Sequence, residues 1–251
     1  MEQDELLKKR LLDLATKADR QNVYTYTGFL SLAEQSEYHQ MERELAFAGC
    51  QMFGGAENCE RMMLQFGSAD TFGYEGTFPI AVLEIRPSAE KFAEELGHRD
   101  YLGAILNLGI ERSLIGDIVI REKKAWVFCV ESIAEFLCDN LTKIRHTAVR
   151  CSISSGSVPE LAPHLEEVIL NVASGRIDAV AAAWTKLSRS KVTELFREKK
   201  IFVNGRLQEN VSYQLKEGET LTVRGYGKII YNGILGETKK GRSRVQIWVY
   251  V

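Results

Sequence analysis

Several things are missing from this 251-residue chain, and each absence narrows what it can be. No apolar run is long enough to span a bilayer, so no membrane contact is expected. The opening stretch Met1–Asp19 is charged and helical in pattern, which excludes a secretory leader there. The five cysteines, Cys50, Cys59, Cys129, Cys138 and Cys151, are odd in number and form no C-x-x-C pair. That argues against a disulfide framework and a zinc site, and for buried free thiols in a reducing cytosol. No Ser/His/Asp arrangement, metal-ligand spacing or dinucleotide fingerprint occurs, so no catalytic residue, metal or cofactor is expected. Gly54-Gly55 could face a phosphate, but no helix signal follows and no P-loop lysine is present; a hairpin loop is expected.

What the chain does have is a charge asymmetry. The formal net charge of −2 hides a C-terminal segment, Arg176–Val251, with 15 Lys+Arg against 7 Asp+Glu, or +8. The remainder, Met1–Gly175, carries 17 against 27, or −10. A basic module on an acidic body implies a localised polyanion site.

Within the basic segment, Ile177, Val180, Ala181 and Trp184 recur at helical spacing and predict a short helix over Asp178–Lys186. Ser188 or Ser190 can cap a second helix with Val192, Leu195 and Phe196 on its apolar face. Ile201–Val203 begins a strand, Asn204-Gly205 turns it, and Leu221–Val223 closes the unit. Arg189 and Lys191 stand at the N-terminal end of the second helix, where cations oppose the helix dipole; their presence there points to an anionic ligand. Lys199, Lys200 and Arg206 follow near the turn into the strand. Taken singly, each lysine is a solvated surface charge. As a group on one αα–turn–β unit they point to RNA phosphate.

The rest predicts two further parts. Residues 1–78 read as an N-terminal α/β domain: a helix over Glu2–Ala18, a second from Ser31 to about Ala46, and strands over 48–53 and 61–66. Residues 79–154 read as strand 80–85, a helix capped by Ser88, a helical piece over 101–108, strands 117–120 and 126–130, helix 133–141 and strand 147–153. That β-α-β-β-α-β order is the ferredoxin-like, or RRM-like, one. The RRM signature is absent, and Trp126 and Phe128 are assigned to core packing rather than base stacking. Residues 155–174 read as a linker and lead-in, and 175–251 as the basic module with a C-terminal β extension. In that extension, Thr238–Arg244 is a basic loop between two strands that offers Lys239, Lys240 and Arg242 as further phosphate contacts. The fold class is α+β.

Arg176-Ile-Asp178, Ser188-Arg-Ser190, Val203-Asn-Gly205 and Gly218-Glu-Thr-Leu-Thr-Val223 together resemble the S4 domain, a small RNA-binding module. The resemblance implies that Arg176, Ser188, Arg189, Ser190, Lys191, Asn204 and Arg206 lie on or beside an RNA-facing surface. Over its full length the chain resembles the YlmH family of bacterial S4-domain proteins. The residues that carry this are His98–Gly103, Leu108–Arg112, Ile115–Ile118, Phe53-Gly-Gly55 with Glu60-Arg61, and Thr238–Arg242. The chain departs from the family at Cys59, where alanine is more usual.

The resemblance implies a cytoplasmic, monomeric, non-enzymatic factor that binds ribosomal RNA on the large ribosomal subunit, with tRNA as a further partner, in rescue of stalled translation. Alternatives are a ribosome-assembly factor and an RNA-modifying enzyme such as a pseudouridine synthase. For the last, Asp178 could stand for the synthase aspartate, but it belongs to the S4 helix. His98-Arg99-Asp100 matches a kinase triplet in letters alone, with no Gly-rich loop.

Overall fold

The structure, a computed structural model, describes residues 2–57, 59–154, 165–238 and 241–250, with backbone alone for 2, 3 and 92. The chain forms two compact units, 1–162 and 163–251. The segments 1–78 and 79–154, read from the sequence as separate domains, both lie in the first unit.

In the first unit, α1 (Glu2–Gln21) leads into β1 (Thr25–Leu30), α2 (Leu32–Leu45), β2 (Cys50–Phe53), β3 (Met62–Phe66) and the short α3 (Ala69–Phe72). The leucine spacing of α1 buries Leu11, Ala15 and Ala18. Ser31 starts α2 through a capping box: its Oγ accepts from Glu34 N–H at 3.4 Å, and the Glu34 carboxylate accepts from Ser31 N–H at 2.7 Å. β1, β3 and β2 form an antiparallel sheet in that order. One face packs Leu64 and Phe66 against α1 and α2.

There follow β4 (Ile80–Pro87), α4 (His98–Leu106), β5 (Ile115–Arg121), β6 (Lys124–Val130), α5 (Ala134–Asn140), β7 (Lys143–Ile144) and β8 (Thr147–Ile153). They form an antiparallel sheet of order β5-β6-β4-β8-β7. The helix expected after Ser88 is absent; a single 3-10 turn covers Glu90–Phe92. Ser88 N–H donates instead to the Ala148 carbonyl at 2.9 Å, so it continues the β4–β8 pairing by one hydrogen bond rather than starting a helix. α4 begins at His98, earlier than expected, because Asp100 reaches back to Gly97 N–H at 2.9 Å.

The two faces of this second sheet have different fates. Leu83, Ile85, Ala125, Val127 and Cys129 pack on the helical side with Tyr101, Ile105, Ala134 and Leu137. On the other side Phe128 joins Phe29 and Met63 of the first sheet. Trp126 and Phe128 are 3% and 1% exposed, so both are core residues as the sequence predicted. All five cysteines are free; Cys138 and Cys151 Sγ approach to 3.3 Å.

The joint between the two sheets is built by family-motif residues. Arg61 donates from Nε to the Ile115 carbonyl at 3.0 Å and from Nη2 to the Phe29 carbonyl. Asp117 accepts from the Glu60 and Arg61 backbone N–H groups. Arg112 donates to the Ile115 carbonyl, and burial together with nearby Arg61 lowers its pKa to about 10. Gly55, with φ +101°, sits where a Cβ would come within 2.4 Å of the Phe128 ring, so neither the backbone nor the space admits a side chain.

The second unit runs β9 (Leu165–Val172), α6 (Ile177–Thr185), α7 (Arg189–Arg197), β10 (Ile201–Val203), β11 (Arg206–Leu207), β12 (Thr220–Val223), β13 (Gly227–Glu237) and β14 (Ser243–Tyr250). One antiparallel sheet of order β11-β10-β12-β13-β14-β9 holds all its strands. β9, expected as a lead-in, pairs along the whole of β14. Ile177, Val180, Val192, Leu195 and Phe196 of the helices pack with Leu221, Val223, Ile229, Val245 and Ile247 of the sheet.

Candidate nucleic-acid interface

The helix pair α6–α7 positions most of the expected site. Ser188 is extended, and its Oγ accepts from Lys191 N–H at 3.3 Å, which satisfies one of the open donors of the first turn of α7. Ser190 Oγ lies 2.9 Å from Ser188 Oγ, so both serines are engaged at the helix start. Arg189 is the first residue of α7 and is exposed. Among the described residues no carboxylate pairs with its guanidinium.

Lys191 Nζ lies 2.6 Å from the Glu194 carboxylate, and that hydrogen bond raises its pKa. At the other end of the helix Lys200 Nζ lies 2.7 Å from Glu198 and holds that carboxyl below its usual range. Both pairs are exposed, so water and salt screen them and a phosphate can compete for either ammonium. Lys199 follows α7 with φ +53° and is exposed.

Arg176 is held differently. Its Nε and Nη2 donate to the two carboxylate oxygens of Asp178 at 3.0 and 3.2 Å. Asp178 is buried, and its Arg176 partner is about one-third exposed. Ile177 N–H donates to the Tyr213 carbonyl at 2.8 Å, and Arg176 bridges Gln214. Arg176 therefore anchors the start of α6 and turns only part of its guanidinium outward. The same ion pair gives Asp178 a structural partner in the Arg176 guanidinium.

Asn204-Gly205 forms the two-residue turn between β10 and β11, with φ +50° and +76°. The Asn204 side chain accepts from Thr220 N–H at 2.8 Å and pins that turn to β12. Arg206 is exposed on the same hairpin. Arg242 lies on another hairpin, β13–β14, where its N–H donates to Thr238 Oγ1 at 3.0 Å. Lys239 and Lys240 lie outside the described residues.

The sequence reading left the turn between β12 and β13 out of the candidate site. Arg224 N–H donates to the Lys200 carbonyl at 2.9 Å, which ties this turn to the C-terminal end of α7. Tyr226 is half-exposed and lies close enough to Lys191 to raise its pKa. The turn thus runs beside α7 from one cation group to the other, about 13 Å at the helical rise. Its signal was present in Arg224-Gly-Tyr-Gly227, an aromatic between two glycines, both of which have positive φ. Chemically the strip offers exposed charged donors and one aromatic ring. Among the described residues no cluster of His, Cys, Asp and Glu has the makings of a metal site.

Comparison with known proteins bears on both units. Residues 74–156 match the family model described as "Putative RNA-binding domain in YlmH". That match falls on the second sheet of the first unit, not on the basic module. The chain is 30% identical over 203 residues to the "Ribosome-associated protein quality control protein P2" of Bacillus subtilis (strain 168), which covers 80% of this chain and 77% of the relative. A solved structure, "Cell division protein ylmH from Streptococcus pneumoniae", aligns with TM-score 0.49 and 22% identity over 61% of this chain and 91% of that one. The identity to the Bacillus protein extends over most of both chains, and the matched model lies on the very sheet that Arg61 and Asp117 lock in place; this chain belongs to the YlmH family.

Proposed function

We propose that this protein binds RNA through its second unit, an S4-type module, and associates with the large ribosomal subunit in quality control of stalled translation. The observation that carries the reading is Arg189: an exposed guanidinium, without a carboxylate partner among the described residues, on the first residue of a capped helix beside Lys191 and Tyr226. A phosphate there would meet open backbone N–H groups, the positive end of the helix dipole and a two-pronged cation at once. The name of the Bacillus relative supports the ribosomal setting, and the RNA-binding description of the matched model supports the ligand. Under this reading the first unit is a ferredoxin-like sheet with an added N-terminal layer, and the protein is a cytoplasmic binder without catalysis. Assembly of the large subunit is the runner-up and uses the same RNA face.

The test is co-sedimentation with large ribosomal subunits. Arg189→Ala should weaken binding by roughly 1–3 kcal/mol, as for the loss of a charge-assisted hydrogen bond, and Arg189→Glu by more. Neither should lower thermal stability, because a cation at a helix N-terminus does not help the helix. Lys216→Ala should do little. Normal binding by folded Arg189→Ala would overturn the phosphate-clamp reading. Immature subunits in place of stalled ones in a pull-down would favour assembly.

A further inference from the structure

The second sheet of the first unit has one face divided in two. Near its middle, Phe128 and Val82 are covered by the first sheet. Four residues further along the strands stand charged side chains, exposed on β4 and β8 and half-buried on β5 and β6. There Arg121 pairs with Lys124 across β5 and β6, and Arg86 pairs with Arg150 across β4 and β8. The β4–β6 ladder runs to Ile85–Ala125, so the next position sets Arg86 beside Lys124. Four cations therefore stand on one rung, Arg121, Lys124, Arg86 and Arg150, on four adjacent strands. The rung spans about 14 Å at the usual strand spacing.

Directly paired side chains share a face, and like charges so placed repel. Glu84, one rung in, pairs with Arg86 and lies close to Lys124. The same row holds Trp126, which is buried, and Ser152, which is exposed. Ala148, two residues before Arg150, is also exposed. Among the described residues this end of the face is thus rich in cations and carries no exposed large apolar side chain. A protein partner would call for an apolar centre, which is missing here. A phosphate backbone calls for a row of positive donors and no reading of bases.

We infer that this rung is a second RNA-contacting surface, one that grips phosphates without base stacking. The inference deepens the RNA-binding reading by locating a surface on the matched family domain, and it does not require the Arg189 site. It differs from an RRM, in which sheet aromatics stack bases; here the central aromatics are sealed in the core.

The experiment uses the full chain, a fluorescein-labelled RNA hairpin with a 16-base-pair stem, and anisotropy across a salt series. Lys124→Gln/Arg150→Gln removes two of the four cations and leaves the Arg86–Glu84 pair in place. It should weaken binding about tenfold at moderate salt and reduce the slope of log affinity against log salt by about two. Lys17→Gln/Arg43→Gln, on the exposed sides of α1 and α2, makes the same change in net charge and should leave the slope alone. Thermal melts establish that each variant is folded. In an Arg189→Glu background the rung pair should lower the remaining affinity further, so failure of the two sites is told apart. An unchanged slope in the rung variant, or an equal loss in the control pair, overturns the inference. So does loss of binding to a polyglutamate peptide with RNA binding intact, which would make the partner an acidic protein.

Discussion

The two basic surfaces of this protein are made in opposite ways. In the second unit the candidate cations follow one another along the chain, at the ends of α7 and on the turns around it. In the first unit they come from four strands and share only a rung. The second unit carries the whole positive excess, whereas the larger, acidic part holds a row of four cations that its net charge conceals. The comparison teaches that segment charge locates a site only when the site is local in sequence. A sheet can assemble a charged row from residues far apart, and the total says nothing of it.

A second contrast concerns support. The first unit joins one sheet to another through half-buried polar groups beside an apolar cluster, while the second packs two helices on one sheet with an apolar core. The largest expected effect breaks the first unit alone. Arg61→Ala leaves the Phe29 and Ile115 carbonyls short of a partner while Asp117 keeps its backbone N–H donors, and should cost about 2–4 kcal/mol of stability in urea unfolding. The melting of an isolated second unit should be untouched by anything done to Arg61.

The next effect sharpens the boundary of the second unit. A fragment beginning at residue 163 should fold and bind structured RNA with a log–log salt slope of about −3 to −5. A fragment beginning at 175 lacks β9 and with it the buried Val172, so it exposes the β14 edge; it should be less stable and should aggregate more readily on a sizing column. Equal stability of the two fragments would show that β9 is dispensable.

A smaller effect separates anchoring from binding among the cations of α6 and α7. Asp178→Ala removes the buried partner of Arg176 and should destabilise the second unit by about 1–3 kcal/mol, discounted for the partial exposure of the arginine. Lys191→Ala breaks only an exposed pair; it should change stability by less than about 1 kcal/mol, yet weaken RNA binding. If Asp178→Ala weakens RNA binding without loss of stability, Arg176 is positioned for RNA rather than for the fold.

The smallest effect is chemical. Burial pushes the Cys129 thiol up to about 12, and burial with the neighbouring Cys138 also raises Cys151. Below those values the reactive thiolate is scarce, so alkylation of both at neutral pH should be slow in the native protein and fast after denaturation, as followed by mass spectrometry. Fast native labelling at Cys129 would mean that the core of the second sheet opens readily.

How far the sequence alone reached follows the range of the interactions. Ser188 as a helix cap, the Asn204-Gly205 turn, the helical spacing of Ile177, Val180 and Ala181 and the β-α-β-β-α-β order were all legible. Each depends on residues a few positions apart, where caps, turns and periodicity act. Ser88 misled because a helix cap and a strand end look alike until Ala148 supplies the hydrogen bond. β1 was missed because Tyr24–Leu30 has no clean alternation of apolar and polar residues; its buried positions include Thr25 and Thr27, and its half-buried ones Tyr26 and Gly28. The tertiary structure alone decided that Glu60, Arg61 and Asp117 meet, that Phe128 is sealed by the first sheet, and that Arg86, Arg121, Lys124 and Arg150 stand in one row. Those facts depend on strand register and on which face is covered, and both are set by packing between segments distant in the chain.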